Sequence, residues 1–374
     1  MCVGGVRGLC RSHRPKTTST VGLRTQIMFL VLAAAIGTVR HLVVLQHGLY
    51  GSRTNLAVLE DACRRIGGKD VMVLSASCNE GRTRDGVARG GIRLAAEIRS
   101  VAALHPSLRS LSCVGNSLGG LYVRYAVAEL CDADGLMAGM TPEACVTIGC
   151  PHLGVRRYTF LPLPNSLASA GRLVAGQTAD DLLLRDVGGE DGQPVLMTMA
   201  SAGSPYIRAL RAFRQRRAYA NVRGDFMVPF GTAAFEDPDV WGAGCFDASR
   251  VAEFARRGSG QISFADPAVL DGSADGIGAI RDVPGRTDEN MVAPTHNDGR
   301  EGREEARMRR ELESCGWTKV GVSFRTAGTF SPVAHNRLAA LRRAGWRRVF
   351  AWIERAHEGR PVMEHCAQFL VGGD

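Results

Sequence analysis

Ser117 stands in Gly115-Asn116-Ser117-Leu118-Gly119, a G-x-S-x-G pattern with an apolar run before it and a helical-looking segment after it. On a sharp turn between a strand and a helix, such a serine is held in a strained backbone conformation with its hydroxyl projecting from the sheet edge. A hydroxyl is a weak nucleophile at neutral pH, so the placement is useful only beside a base, normally a histidine oriented by a carboxylate. The chemistry open to such a set is acyl transfer through a covalent acyl-serine. The developing oxyanion then needs fixed donors, which backbone amides supply without reorganisation. Leu118 N–H, directly after the serine, is one candidate. Leu49 N–H is the second, in His47-Gly48-Leu49-Tyr50-Gly51, where glycines let the chain pass close to the serine.

The acid and the base should follow the serine in that order. Asp225 lies just past an expected strand at 217–223, in the loop that would present it; a plain turn aspartate in Gly224-Asp225 is the structural alternative. His335, in Ser331-Pro332-Val333-Ala334-His335-Asn336, is expected on the loop between a strand at 317–324 and a helix at 337–344. That is the carboxyl edge of the sheet, where a base belongs. His296 is the rival base, but its segment offers no strand to position it. His47 is expected to hydrogen-bond locally and fix the oxyanion loop, while His357 and His365 fall on a terminal amphipathic helix and read as structural.

These residues need a scaffold, and the chain supplies one. Apolar runs of four to six residues recur, bounded by Gly, Asn and Asp and separated by helical stretches, the pattern of parallel strands buried on both faces. Strands are expected at 41–46, 70–75, 108–115 and 144–149, with helices at 54–67, 90–105 and 120–130 between them. After Pro151 the pattern loosens into leucine- and glycine-containing cap or lid helices, about 155–195. A helix at 206–215 and a charged helix at 301–314 frame the later strands. Between them, about 236–300, the sequence is rich in Gly, Asp, Arg and Ser without a sustained period and reads as a solvated insertion.

Composition sets limits. A hydrophobic fraction of 45% against 22% charged residues excludes global disorder and provides enough apolar mass for both faces of a sheet. The net charge of +9 is concentrated: residues 1–40 carry six basic and no acidic side chains, so the body is only mildly basic. Lys16, Lys69 and Lys319 are the only lysines, and arginine supplies the rest without forming a phosphate-binding stripe, so no nucleic-acid partner is expected. The 11 cysteines show no CxxC and no Cys/His pair at metal-ligand spacing, which suits a reducing compartment and no metal. Residues 27–39 form an apolar run behind a basic stretch, shorter than the roughly 20 residues a bilayer span needs. They read as a signal h-region, a short anchor or part of an organellar presequence; alternatively translation starts at Met28 and what lies upstream of it is a non-native extension.

Taken in order, several motifs resemble a family of serine esterases with a lipase-like domain found in yeasts, plants and protists. Leu45-Gln46-His47-Gly48-Leu49-Tyr50-Gly51 is similar to its H-G-L-x-G strand end, and Asn79, Thr83, Asp85 and Gly86 match its N-x-x-x-T-x-D-G segment. Gly91, Arg93, Leu94, Glu97 and Ile98 match its G-x-R-L-x-x-E-I helix, followed by the elbow extended by Gly120. Pro151-His152-Leu153-Gly154, Tyr219-Ala220-Asn221 with Asp225 and Val228-Pro229, and Ala334-His335-Asn336 complete the series. The resemblance covers about residues 41–235 and 303–370. It implies a lipase or esterase with Ser117, Asp225 and His335 as its triad. Residues 1–40 have no counterpart in it, and the insertion before the last strand is unusually long. Thr83, Asp85 and His152 are expected to be structural, Asp85 as a buried carboxylate needing partners.

The expectation is therefore an α/β-hydrolase fold over residues 41–374: a mostly parallel doubly wound sheet with cap helices and an insertion. Its reaction would be ester hydrolysis without a cofactor, on lipid or other esters, since an apolar cap at 160–175 would suit an acyl chain. Its setting would be cytoplasmic with possible peripheral membrane contact. Two alternatives stay open: an acyltransferase using the same serine, and a catalytically silent interaction module.

Overall fold

The run HLVVLQ forms β1 (His41–Gln46), and its alternate residues face two different cores. Leu42 and Val44 belong to one apolar cluster, Val43 and Leu45 to the other, so the strand is buried on both sides. This computed structural model describes residue 1 and residues 39–156, 172–189, 192–221, 225, 227–236, 262–265, 299–322, 334–341 and 359–371. The chain divides into Met1–Thr38 and Val39–Asp374, and the sheet lies within the second unit. Residues 2–38 fall outside the described residues, as do His296 and residues 160–171 of the apolar stretch 160–175.

Six further strands follow: β2 (Val71–Ser75), β3 (Ser110–Asn116), β4 (Thr141–Ile148), β5 (Gln215–Asn221), β6 (Ile262–Ala265) and β7 (Thr318–Val322). They form one sheet in the order β2-β1-β3-β4-β5-β7-β6, with every pairing parallel. The helices are α1 (Ala57–Gly67), α2 (Val87–Leu104), α3 (Leu118–Leu130), α4 (Pro205–Ala212), α5 (Arg300–Glu313), α6 (Ala334–Leu338) and α7 (Arg360–Val371), with shorter ones between. Apolar residues of α2, α3, α4 and α5 fill one core, those of α1 and α7 the other. Because β1 has neighbours reached by crossovers in both directions, the strand order reverses beside it, and loops at the strands' carboxyl ends converge there. This is the doubly wound α/β-hydrolase architecture.

Four expectations need correction. The segment 236–300 is not without strand: Ile262-Ser263-Phe264-Ala265 pairs with β7 at the sheet's edge. A single alternating tetrapeptide is too short to stand out amid Gly, Asp, Arg and Ser. The helix expected at 206–215 ends at Ala212, because Gln215 already pairs with Ala144. His335 is not on a loop but in the first turn of α6, which starts three residues before the expected boundary. Asp85 is not buried; its side chain is 37% exposed and bridges to Arg93 at 2.7 Å, so the partner it needed is present without the burial. The described part of the cap region is helical at Gln177–Leu182 and Val195–Thr198.

Lys319, fully buried in β7, is bonded to Glu236 at 2.6 Å and to Glu313 of α5. Burial opposes its charge, but the two carboxylates outweigh it and hold its pKa above the usual lysine value. Among the described residues, no helix is long and apolar enough to cross a membrane, and the eight cysteines are free thiols.

Candidate active site

β3 ends at Asn116 and α3 begins at Leu118, leaving Ser117 alone on the turn with φ 54° and ψ −129°. Positive φ costs a residue with a Cβ roughly 1–2 kcal/mol, and the surroundings enforce it. Ser117 N–H donates to the Ile148 carbonyl at 2.8 Å, and the Ser117 carbonyl accepts from Gly120 N–H at 2.9 Å. Gly119 lets α3 press on β1: a Cβ there would lie 2.4 Å from the Gln46 carbonyl oxygen. Gly48 does the same for the loop after β1, since a Cβ would stand 2.8 Å from Ser117 Cβ. The serine is half-buried beneath that loop.

Leu118 is the first residue of α3, so its N–H has no intrahelical acceptor. Leu49 is half-buried between Gly48, which touches the serine, and Tyr50, whose φ is 53°. His47 Nδ1 lies 3.0 Å from the Gly48 carbonyl oxygen. Burial lowers the His47 pKa, so the ring sits neutral behind the loop.

Asp225 and His335 meet although 110 residues separate them: His335 Nδ1 is 2.8 Å from Asp225 Oδ2, with both side chains buried. The other carboxylate oxygen, Oδ1, accepts Met227 N–H at 3.2 Å and Val228 N–H at 2.9 Å. Asn221, the last residue of β5, completes the arrangement. Its Nδ2 donates both to Asp225 Oδ2 at 2.9 Å and to the Ala334 carbonyl at 3.0 Å, joining Asp225 to the start of the helix that bears His335. Sequence reasoning missed this role; the available signal was a polar amide at the end of an otherwise buried strand, four residues before Asp225.

The imidazole packs on Gly149, where a Cβ would stand 3.0 Å from Cε1. Gly149 directly follows Ile148, the acceptor for Ser117 N–H, so the end of β4 touches both the serine backbone and the imidazole. His335 Nε2 is buried and has no hydrogen-bond partner among the described residues. The serine hydroxyl and Nε2 are therefore on neighbouring supports but are not hydrogen-bonded to each other.

Other candidates go elsewhere. His152 is fully buried, with Nε2 2.9 Å from Thr147 Oγ1, and burial drives its pKa well below the ordinary value. His365 Nδ1 lies 2.9 Å from the Tyr219 hydroxyl, and His357 is outside the described residues. A cavity of about 510 Å³ is bordered by Arg84, Gln177, Asp181, Asp186 and Val195, and by none of Ser117, Asp225 or His335. No metal-binding cluster occurs among the described residues.

Residues 38–237 match a family model described as "Putative serine esterase (DUF676)". The chain is 35% identical over 204 residues to "Putative lipase ROG1" of Saccharomyces cerevisiae, the match covering 52% of this chain and 28% of that protein. It is 28% identical over 211 residues to "Putative lipase C4A8.10" of Schizosaccharomyces pombe, covering 52% of this chain and 26% of that protein. Each match thus spans little more than a quarter of the relative. Among solved structures, the lin2722 product of Listeria innocua aligns with a TM-score of 0.39 at 10% identity, over 90% of this chain and 95% of that one. The Bacillus licheniformis lipase BlEst2 in its propeptide form aligns with a TM-score of 0.35 at 16% identity, over 55% of this chain and 41% of that one.

Proposed function

The chain belongs to this family of serine esterases, and from that premise we propose that it hydrolyses carboxylic esters through an acyl-enzyme on Ser117. His335 Nε2 takes the hydroxyl proton as Ser117 Oγ attacks the ester carbonyl, and Asp225 stabilises the imidazolium through Nδ1. The amides of Leu49 and Leu118 receive the oxyanion. The tetrahedral intermediate collapses, breaking the carbon–oxygen bond to the alcohol, which leaves with the proton from Nε2. Water then repeats the sequence on the acyl-serine and releases the acid.

The observation that carries this reading is the 2.8 Å contact between His335 Nδ1 and Asp225 Oδ2. It fixes the ring tautomer, leaves Nε2 unpartnered, and occurs against the same strand end that holds Ser117. His41 and His47 also have a buried Nε2 without a partner, so what sets His335 apart is the pairing of its Nδ1 with a buried carboxylate beside the strand end that holds Ser117.

Lipid esters are the favoured substrate class. Tyr50, Leu173 and Val174 are exposed, and the Tyr50 hydroxyl is bonded to the Val174 carbonyl, so apolar surface borders the loop over the serine. That surface suits an acyl chain and a peripheral contact with the membrane or droplet supplying it, and the names of the yeast relatives accord with this. The test is a series of p-nitrophenyl esters from acetate to palmitate, with wild type and Ser117→Ala. We expect kcat/KM to rise from acetate to at least octanoate in wild type and to be lost in the variant. Hydrolysis undiminished in Ser117→Ala would refute the mechanism, and a maximum at acetate would refute the lipid preference.

A further inference from the structure

Residues 77–86 lie between β2 and α2 and carry no group used in the steps above, yet they are bonded at two points to the segment passing over Ser117. Tyr50 N–H donates to Thr83 Oγ1 at 3.0 Å. Asn79 Nδ2 donates to Gln46 Oε1 at 3.2 Å, and Gln46 Nε2 donates to the His47 carbonyl at 2.9 Å.

The segment is itself immobilised. Three nitrogens of Arg93 on α2 donate to Asn79 Oδ1 at 2.9 Å, Asp85 Oδ2 at 2.7 Å and the Arg82 carbonyl at 3.0 Å. Glu97, one turn on, accepts the N–H groups of Ser77 and Cys78 at 3.1 and 3.2 Å. Thr83 is 2% exposed, and its carbonyl accepts the hydroxyls of Tyr122 at 3.2 Å and Thr178 at 2.8 Å. Its hydroxyl oxygen is thus a fixed acceptor.

We propose that Thr83 is a positioning residue for the oxyanion loop, holding the Leu49–Tyr50 backbone in the conformation that aims Leu49 N–H at the developing charge. Tyr50 has φ 53°, a conformation that a bulky aromatic residue rarely adopts without outside restraint. The turn around it is closed by Gly51 N–H to the Gly48 carbonyl at 3.0 Å and the Tyr50 hydroxyl is bonded to the Val174 carbonyl; the N–H bond to Thr83 is the restraint that acts on the Leu49–Tyr50 peptide itself. Without it, the Leu49–Tyr50 peptide is held only by the turn, and the Leu49 amide loses its fixed aim. The inference rests on the assignment of Ser117 as nucleophile and Leu49 as donor. Because an oxyanion donor acts in the transition state and not on bound substrate, the loss falls on kcat and leaves KM in place.

The experiment compares full-length wild type, Thr83→Val, Thr83→Ser and Ser117→Ala. It measures kcat and KM on p-nitrophenyl butyrate, inhibition by an alkyl trifluoromethyl ketone, and folding by circular dichroism. Ser117 Oγ adds to the ketone carbonyl, the π bond opens to an oxyanion, and the serine proton passes to His335, so affinity reports the oxyanion site. Thr83→Val should lose about 10- to 100-fold in kcat with KM within about twofold, and weaken the ketone by a similar factor. Thr83→Ser, which keeps the acceptor oxygen, should stay within about threefold of wild type. Thr83→Val with unchanged kcat and ketone affinity would overturn the proposal, as would Thr83→Ser losing as much as Thr83→Val. If Thr83→Val does not fold, Thr83→Cys, of similar size but a weak acceptor, carries the same two expectations. Activity that survives in Ser117→Ala would remove the nucleophile assignment and this inference together; an inactive Ser117→Ala beside a fully active Thr83→Val would remove this inference alone.

Discussion

The proposed nucleophile and the proposed acid–base pair are built by different means. Ser117 owes its position to its immediate neighbours: β3 before it, α3 after it, and Gly119 and Gly48 admitting adjacent backbone. Asp225 and His335 owe theirs to side chains meeting across 110 residues, with Asn221 clasping the acid and the start of α6 together. The first arrangement is rigid because the strain of one turn is enforced by backbone packing; the second is a buried polar network whose parts are valuable only together. Substitutions in the supports of Ser117 should therefore show as lost stability, while those in the network around Asp225 and His335 should show as catalytic losses in a folded protein.

The largest effects should come where the halves meet in the reaction. Ser117→Ala and His335→Ala should each lower kcat by about 10⁴-fold or more, and the double variant should be scarcely worse than either single one. Additive losses would mean that the two residues do not act as a unit. Asp225→Asn should lose about 10³- to 10⁴-fold, because the amide can impose the wrong tautomer on the imidazole; measuring kcat near pH 8 checks this, and a loss under tenfold would remove Asp225 from the assignment.

Gly119→Ala probes the front half. The added carbon would lie 2.4 Å from one backbone oxygen of β1 and 2.5 Å from the next, neither of which can swing aside. A stability loss of about 3 kcal/mol is expected by urea denaturation, and a loss below about 1 kcal/mol would show that the elbow is not rigidly packed. Asn221→Ala probes the back half. It should reduce kcat roughly tenfold while the protein stays folded, since removing one donor loosens but does not delete the acid. Unchanged kcat would deprive the clasp of its role.

The smallest effect separates the halves by pH. His47 and His152 both have pKa values lowered by burial, so the folded chain keeps them neutral where the unfolded chain binds protons. The stability they contribute is complete above pH 6.5, the unfolded value, and is lost as pH falls below it. Denaturation midpoints should fall between pH 7.5 and pH 5, and fall less in His152→Gln; a midpoint that rises over that window would contradict the assignment of neutral rings.

The same contrast explains what the sequence could disclose. HLVVLQ, the run into Gly115 and the segment after Ser117 announce β1, β3 and α3 because their periodicity and glycines act locally. Asp225 and His335 could be nominated by order and by neighbouring strands, but their contact could not. The start of α6 at Ala334 is anchored by Asn221 from another strand, so no local signal marked it. β6 was hidden for the same reason: a four-residue strand at the edge is defined by β7 and not by its own composition. Thr83 and Asp85 were visible as parts of a motif, but that Thr83 reaches Tyr50 while Asp85 pairs with Arg93 depends on how α2 folds back.

Peptide mapping by mass spectrometry after brief exposure to a fluorophosphonate tests the central assignment most directly. The account predicts a single stoichiometric adduct on Ser117, formed much more slowly in His335→Ala. An adduct on another serine, or labelling at Ser117 that proceeds equally fast without His335, would contradict it.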